Sequence, residues 1–261
     1  MRRRCGTATA RLLAVAVCLA WASAAWPAPV RRPVVAGSFY PDDPARLRGA
    51  VEAFLASARP AGQQPLALIA PHAGYIYSGQ IAADAWNQVR GHAYDLIVIL
   101  GTNHTTPGFT GVSVYAGSGY RTPLGTAAVD VETSRELMSL DDDYGFTPAV
   151  HAREHSIEVQ VPFAQVLFPD TPLLAAIVGL HDPESCEAFG HALADLLRDR
   201  EVLIVASSDL SHYPHRDDAE EVDRRTLEAM GSGVRSFFDR LRRLEREGPP
   251  GLATCACGEA P

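Results

Sequence analysis

The chain contains no lysine among its 261 residues. That absence excludes Schiff-base chemistry on a lysine amine and the lysine of a phosphate-binding P-loop. Other signatures are missing as well. There is no G-x-S-x-G elbow, no G-x-G-x-x-G after a strand pattern and no Walker A motif. Serine-hydrolase, dinucleotide and nucleoside-triphosphate readings lose ground accordingly. Cysteine is scarce: five in all, with Cys5 and Cys18 inside the first 25 residues. The other three, Cys186, Cys255 and Cys257, are an odd number, and the last two are too close for an unstrained bridge. The chain is therefore no disulfide scaffold, and at least one free or metal-binding thiol is expected. Positive charge is also short. Lys+Arg total 23 against 31 Asp+Glu, for a formal net charge of −8. Four arginines fall in the first 25 residues, so the remainder sets 19 against 31, or −12. Such a body lacks the basic footprint of a nucleic-acid binder.

What is present begins with an unusual N-terminus. Arg2, Arg3, Arg4 and Arg11 precede an apolar run from Leu12 to Trp21, and Ala22, Ser23, Ala24 and Ala25 follow. A positive start, a short apolar centre and a small-residue site read as a secretory signal peptide or N-terminal anchor over residues 1–25. The run is short for a membrane span. A working signal sends the protein to the periplasm or outside; without one the chain is cytoplasmic. The remainder, 26–261, has the composition of a globular protein, with 47% hydrophobic and 21% charged residues overall, and reads as one domain.

Residues 26–33 read as an extended, Pro- and Arg-rich linker. Three later places share one pattern. Apolar runs at 66–70, 95–100 and 201–206 each pass directly into a loop carrying a histidine: His72, His104 and His212. Runs rich in Val, Ile and Leu suit strands buried on both faces. Helical spacing lies between and around them, at 45–58, 78–89, 131–140 and 183–198, and a fourth strand is expected at 172–178. Residues 112–125 read as an excursion with antiparallel strands. The alternation predicts an α/β fold, an α/β/α sandwich with a mostly parallel central sheet.

In such sheets ligands bind beyond the carboxyl ends of the strands. A single loop histidine is more often a surface or capping residue. Three in equivalent positions point to one pocket, where all three hold a metal or two hold it while the third moves protons. Glu154-His155-Ser156-Ile157-Glu158 adds a further candidate in His155, although it is not H-E-x-x-H and also reads as a helix start. Cys257, in Cys255-Ala256-Cys257-Gly258, offers a soft metal ligand. His92, His151, His181, His191 and His215 read as surface residues.

These motifs occur together in a known order. Ala36-Gly37-Ser38-Phe39-Tyr40-Pro41, Pro71-His72-Ala73-Gly74-Tyr75, Gly101-Thr102-Asn103-His104, Thr122-Pro123-Leu124-Gly125, Glu154-His155-Ser156-Ile157-Glu158, Ser207-Ser208-Asp209-Leu210-Ser211-His212 and Cys257-Gly258 resemble the Memo family. Its bacterial members are called AmmeMemoRadiSam system protein B. The resemblance covers about residues 31–261 and implies a fold related to the class III extradiol dioxygenases (LigB-like). It implies His72, His104 and Cys257 as metal ligands and His212 as an acid/base, with Asp209 and His155 beside the pocket. Iron or copper is the implied ion, ahead of zinc. A small-molecule substrate or peptide is implied, and radical-SAM and AMMECR-like proteins are the implied system partners. Members usually run on past the Cys-Gly motif, so the domain reads as truncated at its C-terminus. The leading reading is a metal-dependent, dioxygenase-like oxidoreductase. A non-enzymatic metal- or peptide-binding module and a zinc hydrolase with two histidines and a cysteine are the alternatives.

Overall fold

The computed structural model describes residues 29–261. The signal-like segment, residues 1–25, lies outside them. Among the described residues no helix is long and apolar enough to cross a membrane.

The described chain opens with a short strand, β1 (Val30–Arg31), and helix α1 (Pro44–Ala56). Asp43 caps α1 by accepting from the Arg46 N–H, and Pro44 sits in the first turn, where its missing N–H goes unmissed. Strand β2 (Ala67–Ala70), helix α2 (Tyr75–Trp86) and strand β3 (Leu96–Thr102) follow. The excursion comprises β4 (Val112–Val114), β5 (Gly119–Thr122) and β6 (Gly125–Ala128). Next come α3 (Val131–Met138), β7 (Tyr144–Gly145), α4 (Pro148–Ala152) and α5 (Val161–Leu167). The chain continues through β8 (Leu173–Val178), α6 (Pro183–Leu197) and β9 (Val202–Ser207). A helical pair, α7 (Arg216–Met230) and α8 (Val234–Glu247), precedes the final residues.

Six strands form the central sheet in the order β2-β9-β3-β8-β4-β7. The first four are mutually parallel, and β4 turns antiparallel against β8. Alternate residues of β3 face opposite layers, as the strand period requires. Ile97 and Ile99 pack with α1, α2 and α5 through Leu47, Val51, Trp86 and Phe163. Leu96, Val98 and Leu100 pack with α3 and α6 through Leu137, Phe189 and Leu193. This is the expected α/β/α sandwich. Beneath α8 the outer face of β2 and β9 is less covered. Ile69 stays 49% exposed there, beside a cavity of about 360 Å3 lined by Ala206, Phe237 and Pro261.

Three local expectations change. Within the stretch read as a linker, Val30 and Arg31 form β1, which pairs with β5 in a second, three-stranded sheet. The 154–168 stretch resolves its mixed periodicity by using turns up to Gln160 and a helix only from Val161, with Pro162 in the first helical turn. His151 is not a surface residue. It is 2% exposed, donates from Nε2 to the Ser113 carbonyl at 2.9 Å and accepts from the Tyr120 hydroxyl at Nδ1, 3.0 Å away. Those partners suit a neutral imidazole, since the charged form cannot accept at Nδ1.

Burial is the main force lowering the His151 pKa, to about 4. The Ser113 carbonyl opposes it and the nearby Arg31 charge adds to it. A histidine depressed in the folded state stabilises fully above its unfolded pKa near 6.5, and that contribution drains away as pH falls toward 4. The loss should reach about 3 kcal/mol, taking 1.36 kcal/mol per unit. Urea unfolding from pH 7 to pH 4 should therefore show a steeper stability loss in the wild type than in His151→Gln. Equal slopes would refute this role for His151.

Candidate metal centre

The three neighbouring strands β2, β9 and β3 end along one edge of the sheet, with Ala70 level with Ser207 and Ala206 level with Leu100. The chain leaves β2 into Pro71-His72, β9 into Ser208-Asp209 and β3 into Asn103-His104. Parallel strands thus deliver three loops to one place. Two further segments close over it: the 154–160 turns and the 254–258 loop.

His72 is 1% exposed, and its tautomer follows from its neighbours. The Ser207 hydroxyl donates to the Ser156 carbonyl at 2.6 Å and accepts from Gln160 Nε2 at 3.0 Å. Its one proton is spent, so the 3.0 Å contact with His72 Nδ1 must be a donation from the ring. Nε2 then carries the lone pair, and it lies 3.1 Å from Cys257 Sγ and 3.8 Å from Asp209 Oδ2. Burial dominates the His72 pKa and lowers it to about 4, with the nearby Asp209 charge opposing.

His104 is arranged by Glu154, which is 2% exposed. One carboxylate oxygen accepts the His104 backbone N–H at 2.7 Å, and the other lies 2.9 Å from His104 Nδ1. That second oxygen also accepts the N–H groups of His155 and Ser156, at 2.8 and 2.9 Å, and lies 3.5 Å from His155 Nδ1. Burial works against charge on Glu154, but these bonds, led by His104, outweigh it and bring its pKa to about 2. Burial likewise opposes charge on His104. Its hydrogen bonds to Cys257 and Glu154 prevail and raise it to about 10. His155 is lowered, chiefly by burial. A carboxylate behind an imidazole is the usual outer partner of a metal-binding histidine.

Asp209 fastens the cleft. Its Oδ1 accepts from the backbone N–H groups of His72 and Ala73, at 2.7 and 3.2 Å, while its own N–H donates to Cys257 Sγ at 3.3 Å. The close seat of the cysteine loop requires Gly258, where a Cβ would stand 2.6 Å from the Ser207 carbonyl oxygen. Gly101 does the same for β3, since a Cβ there would meet Ser156 Oγ at 2.5 Å.

Two donor groups result. One ring nitrogen each of His72, His104 and His155 lie within 4.8 Å of one another, and so do donor atoms of His72, Asp209 and Cys257. Five of the six candidate residues thus meet in one cleft. His212 belongs to neither group; its Nδ1 donates to the Leu210 carbonyl at 2.8 Å, and its backbone pairs with Ala253 and Thr254. Its loop therefore braces the segment that carries Cys257. Cys255 is buried with Val222, Leu241 and Leu244, away from the donors. Glu154, Ser207 and Gln160 went unrecognised as site residues. Glu154 and Ser207 lie inside motifs quoted above without a role of their own, and Gln160 carries no signal beyond its polarity in a segment of core residues. A cavity of about 320 Å3 opens beside Cys257, lined also by Thr102, Asn103, Gly179 and Thr254.

Fold and cleft define an α/β/α protein with a His/Cys/carboxylate metal-type site at the carboxyl ends of its parallel strands. A family model described as "Memo-like protein" matches residues 31–248. A MEMO1 family protein of Metallosphaera sedula is 39% identical over 201 residues, covering 71% of each chain. One from Desulfurococcus amylolyticus is 35% identical over 84% of this chain and 78% of its own. One from Methanobrevibacter smithii is 36% identical over 88% and 84%. The chain belongs to the Memo family. Cys257 lies beyond the residues matched by the family model, so its place in the cleft is a finding of the structure.

In metal-free protein at pH 7, ring-nitrogen NMR should find His104 doubly protonated. Glu154→Gln should bring its pKa down toward 6.5. A neutral His104 in the wild type would contradict the electrostatics described.

Proposed function

We propose that the protein is an iron- or copper-dependent oxidoreductase that works on a small molecule held beside Cys257. The observation that carries this reading is the pairing of His72 Nε2 with Cys257 Sγ at 3.1 Å, on a ring whose Nδ1 proton is committed to Ser207. His104 stands ready in the same way, with Nδ1 turned to Glu154. Two imidazoles whose Nδ1 atoms are engaged elsewhere, a thiol and a nearby carboxylate suit a transition ion better than calcium or magnesium, which prefer oxygen. The thiol favours softer ions and argues against an ordinary ring-cleaving dioxygenase, whose ligands are two histidines and a carboxylate.

A bound iron or copper ion would supply one-electron chemistry and Lewis acidity. The chain's own residues supply the rest. Ser207 and Glu154 hold the ligand rings in one tautomer. Asp209 keeps the His72 and Cys257 loops together. His212, held by its Nδ1 donation to the Leu210 carbonyl, steadies through its backbone the segment that carries Cys257. The cavity of about 320 Å3 accommodates a small molecule rather than a folded partner.

Elemental analysis of anaerobically purified protein tests the reading. Near-stoichiometric iron or copper, lost in His72→Ala, is the expected result. Zinc, with an activity indifferent to oxygen, would favour the hydrolase instead. No metal bound, and none taken up on reconstitution, would overturn metal dependence and leave a binding module.

A further inference from the structure

We propose that the cleft offers a metal ion a second, sulfur-free donor set made of His72, His104 and His155, which holds the ion without Cys257. The proposal rests on the metal-binding reading above and concerns how the ion is held.

The geometry of the three rings is the starting point. Their centroids lie 5.0 Å apart for His72–His104, 5.5 Å for His72–His155 and 4.7 Å for His104–His155. One nitrogen of each falls within 4.8 Å of the others. Rings so close bring one nitrogen each to a single partly buried space, where one cation can be shared among them.

The second observation is how the rings are held. Two Nδ1 atoms are hydrogen-bonded from outside the cleft: His72 to Ser207 Oγ at 3.0 Å and His104 to Glu154 at 2.9 Å. His155 Nδ1 lies 3.5 Å from the same Glu154 oxygen, beyond those bonds, and its backbone N–H donates to that oxygen at 2.8 Å. The edge of Phe39 packs on His155 with centroids 4.8 Å apart and limits its rotation. Three histidines are an established ligand set for zinc, and imidazole suits copper and iron as well.

The third observation concerns the relation between the two sets. His72 is common to both, and Ser207 occupies its Nδ1. Only Nε2 remains, so His72 serves one ion at a time. The sets are alternatives for a single ion rather than halves of a two-metal centre. One is soft, with Cys257 and Asp209 beside His72. The other is all nitrogen.

Cobalt(II) titration separates the sets, because sulfur coordination adds a charge-transfer band to the visible ligand-field bands. Wild type should bind one equivalent with both features. Cys257→Ala should lose the charge-transfer band but still bind one equivalent with ligand-field bands. His155→Ala should keep the charge-transfer band. The double variant should show no saturable binding. Should Cys257→Ala fold poorly by circular dichroism, Cys257→Ser takes its place in the same series. Equal binding by the single cysteine variant and the double variant would overturn the proposal, because His155 would then contribute nothing. Loss of all binding in a folded cysteine variant, with the wild type binding, would overturn it too. No binding by the wild type would instead remove the metal reading itself, and the second set with it.

Discussion

Two carboxylates buried within one stretch of turn constrain much of this molecule. Glu154 and Glu158 lie four residues apart, and each is at most 2% exposed. Burying such groups is tolerable only when every oxygen is satisfied. Arg31 serves both ends. It pairs with the Glu158 carboxylate at 2.6 Å and donates to the Glu154 carbonyl. The Tyr40 hydroxyl and the N–H groups of Val34 and Val35 complete the shell of Glu158. The N-terminal 31–40 segment is held in place by this cluster, and β1 follows Arg31 into the second sheet.

Glu154 faces the other way and spends its acceptor capacity on His104, His155 and Ser156. One short segment therefore couples the packing of the N-terminus to the orientation of the candidate ligands. The same economy recurs at Ser207. Its hydroxyl joins the 154–160 turns to β9 and fixes the His72 ring, and Gln160 ties both to the end of β2 and to Trp86 in the core. Side chains pre-organised in this way would lose little conformational freedom on holding an ion.

The cysteine enters differently. Its loop follows α8, sits against the ends of β9 and the His212 loop, and approaches closely only because residue 258 is glycine. Four of the five donors, His72, His104, His155 and Asp209, come from the sandwich and its covering turns. The thiol comes from a segment braced by the α7–α8 pair. That division gives physical substance to the idea of a nitrogen set that persists and a sulfur set that depends on one loop.

Much of this was legible in the residues alone. Continuous apolar runs at β3 and β8 declared strands buried on both faces, whereas the similar runs at β2 and β9 form strands buried on one face only and partly covered on the other; a histidine or aspartate directly after a strand declared a loop at the ligand-binding edge. These signals are local, because strand burial and the turn after it are encoded in consecutive residues. The amphipathic pattern of α7 and α8 was equally present, with Phe238, Leu241 and Leu244 on one face, although no element was assigned there. What only the tertiary structure decided is which polar groups share a proton. Nothing in the spacing of His72, Glu154 and Ser207 reveals that one ring is oriented by a hydroxyl 135 residues away and another by a carboxylate 50 residues away. Nor does it reveal that His151 is buried, that His212 turns to its own backbone or that Cys255 joins the core while Cys257 reaches the cleft. Hydrogen bonding is directional and acts over about 3 Å, so its partners exist only once the strands have brought distant segments together.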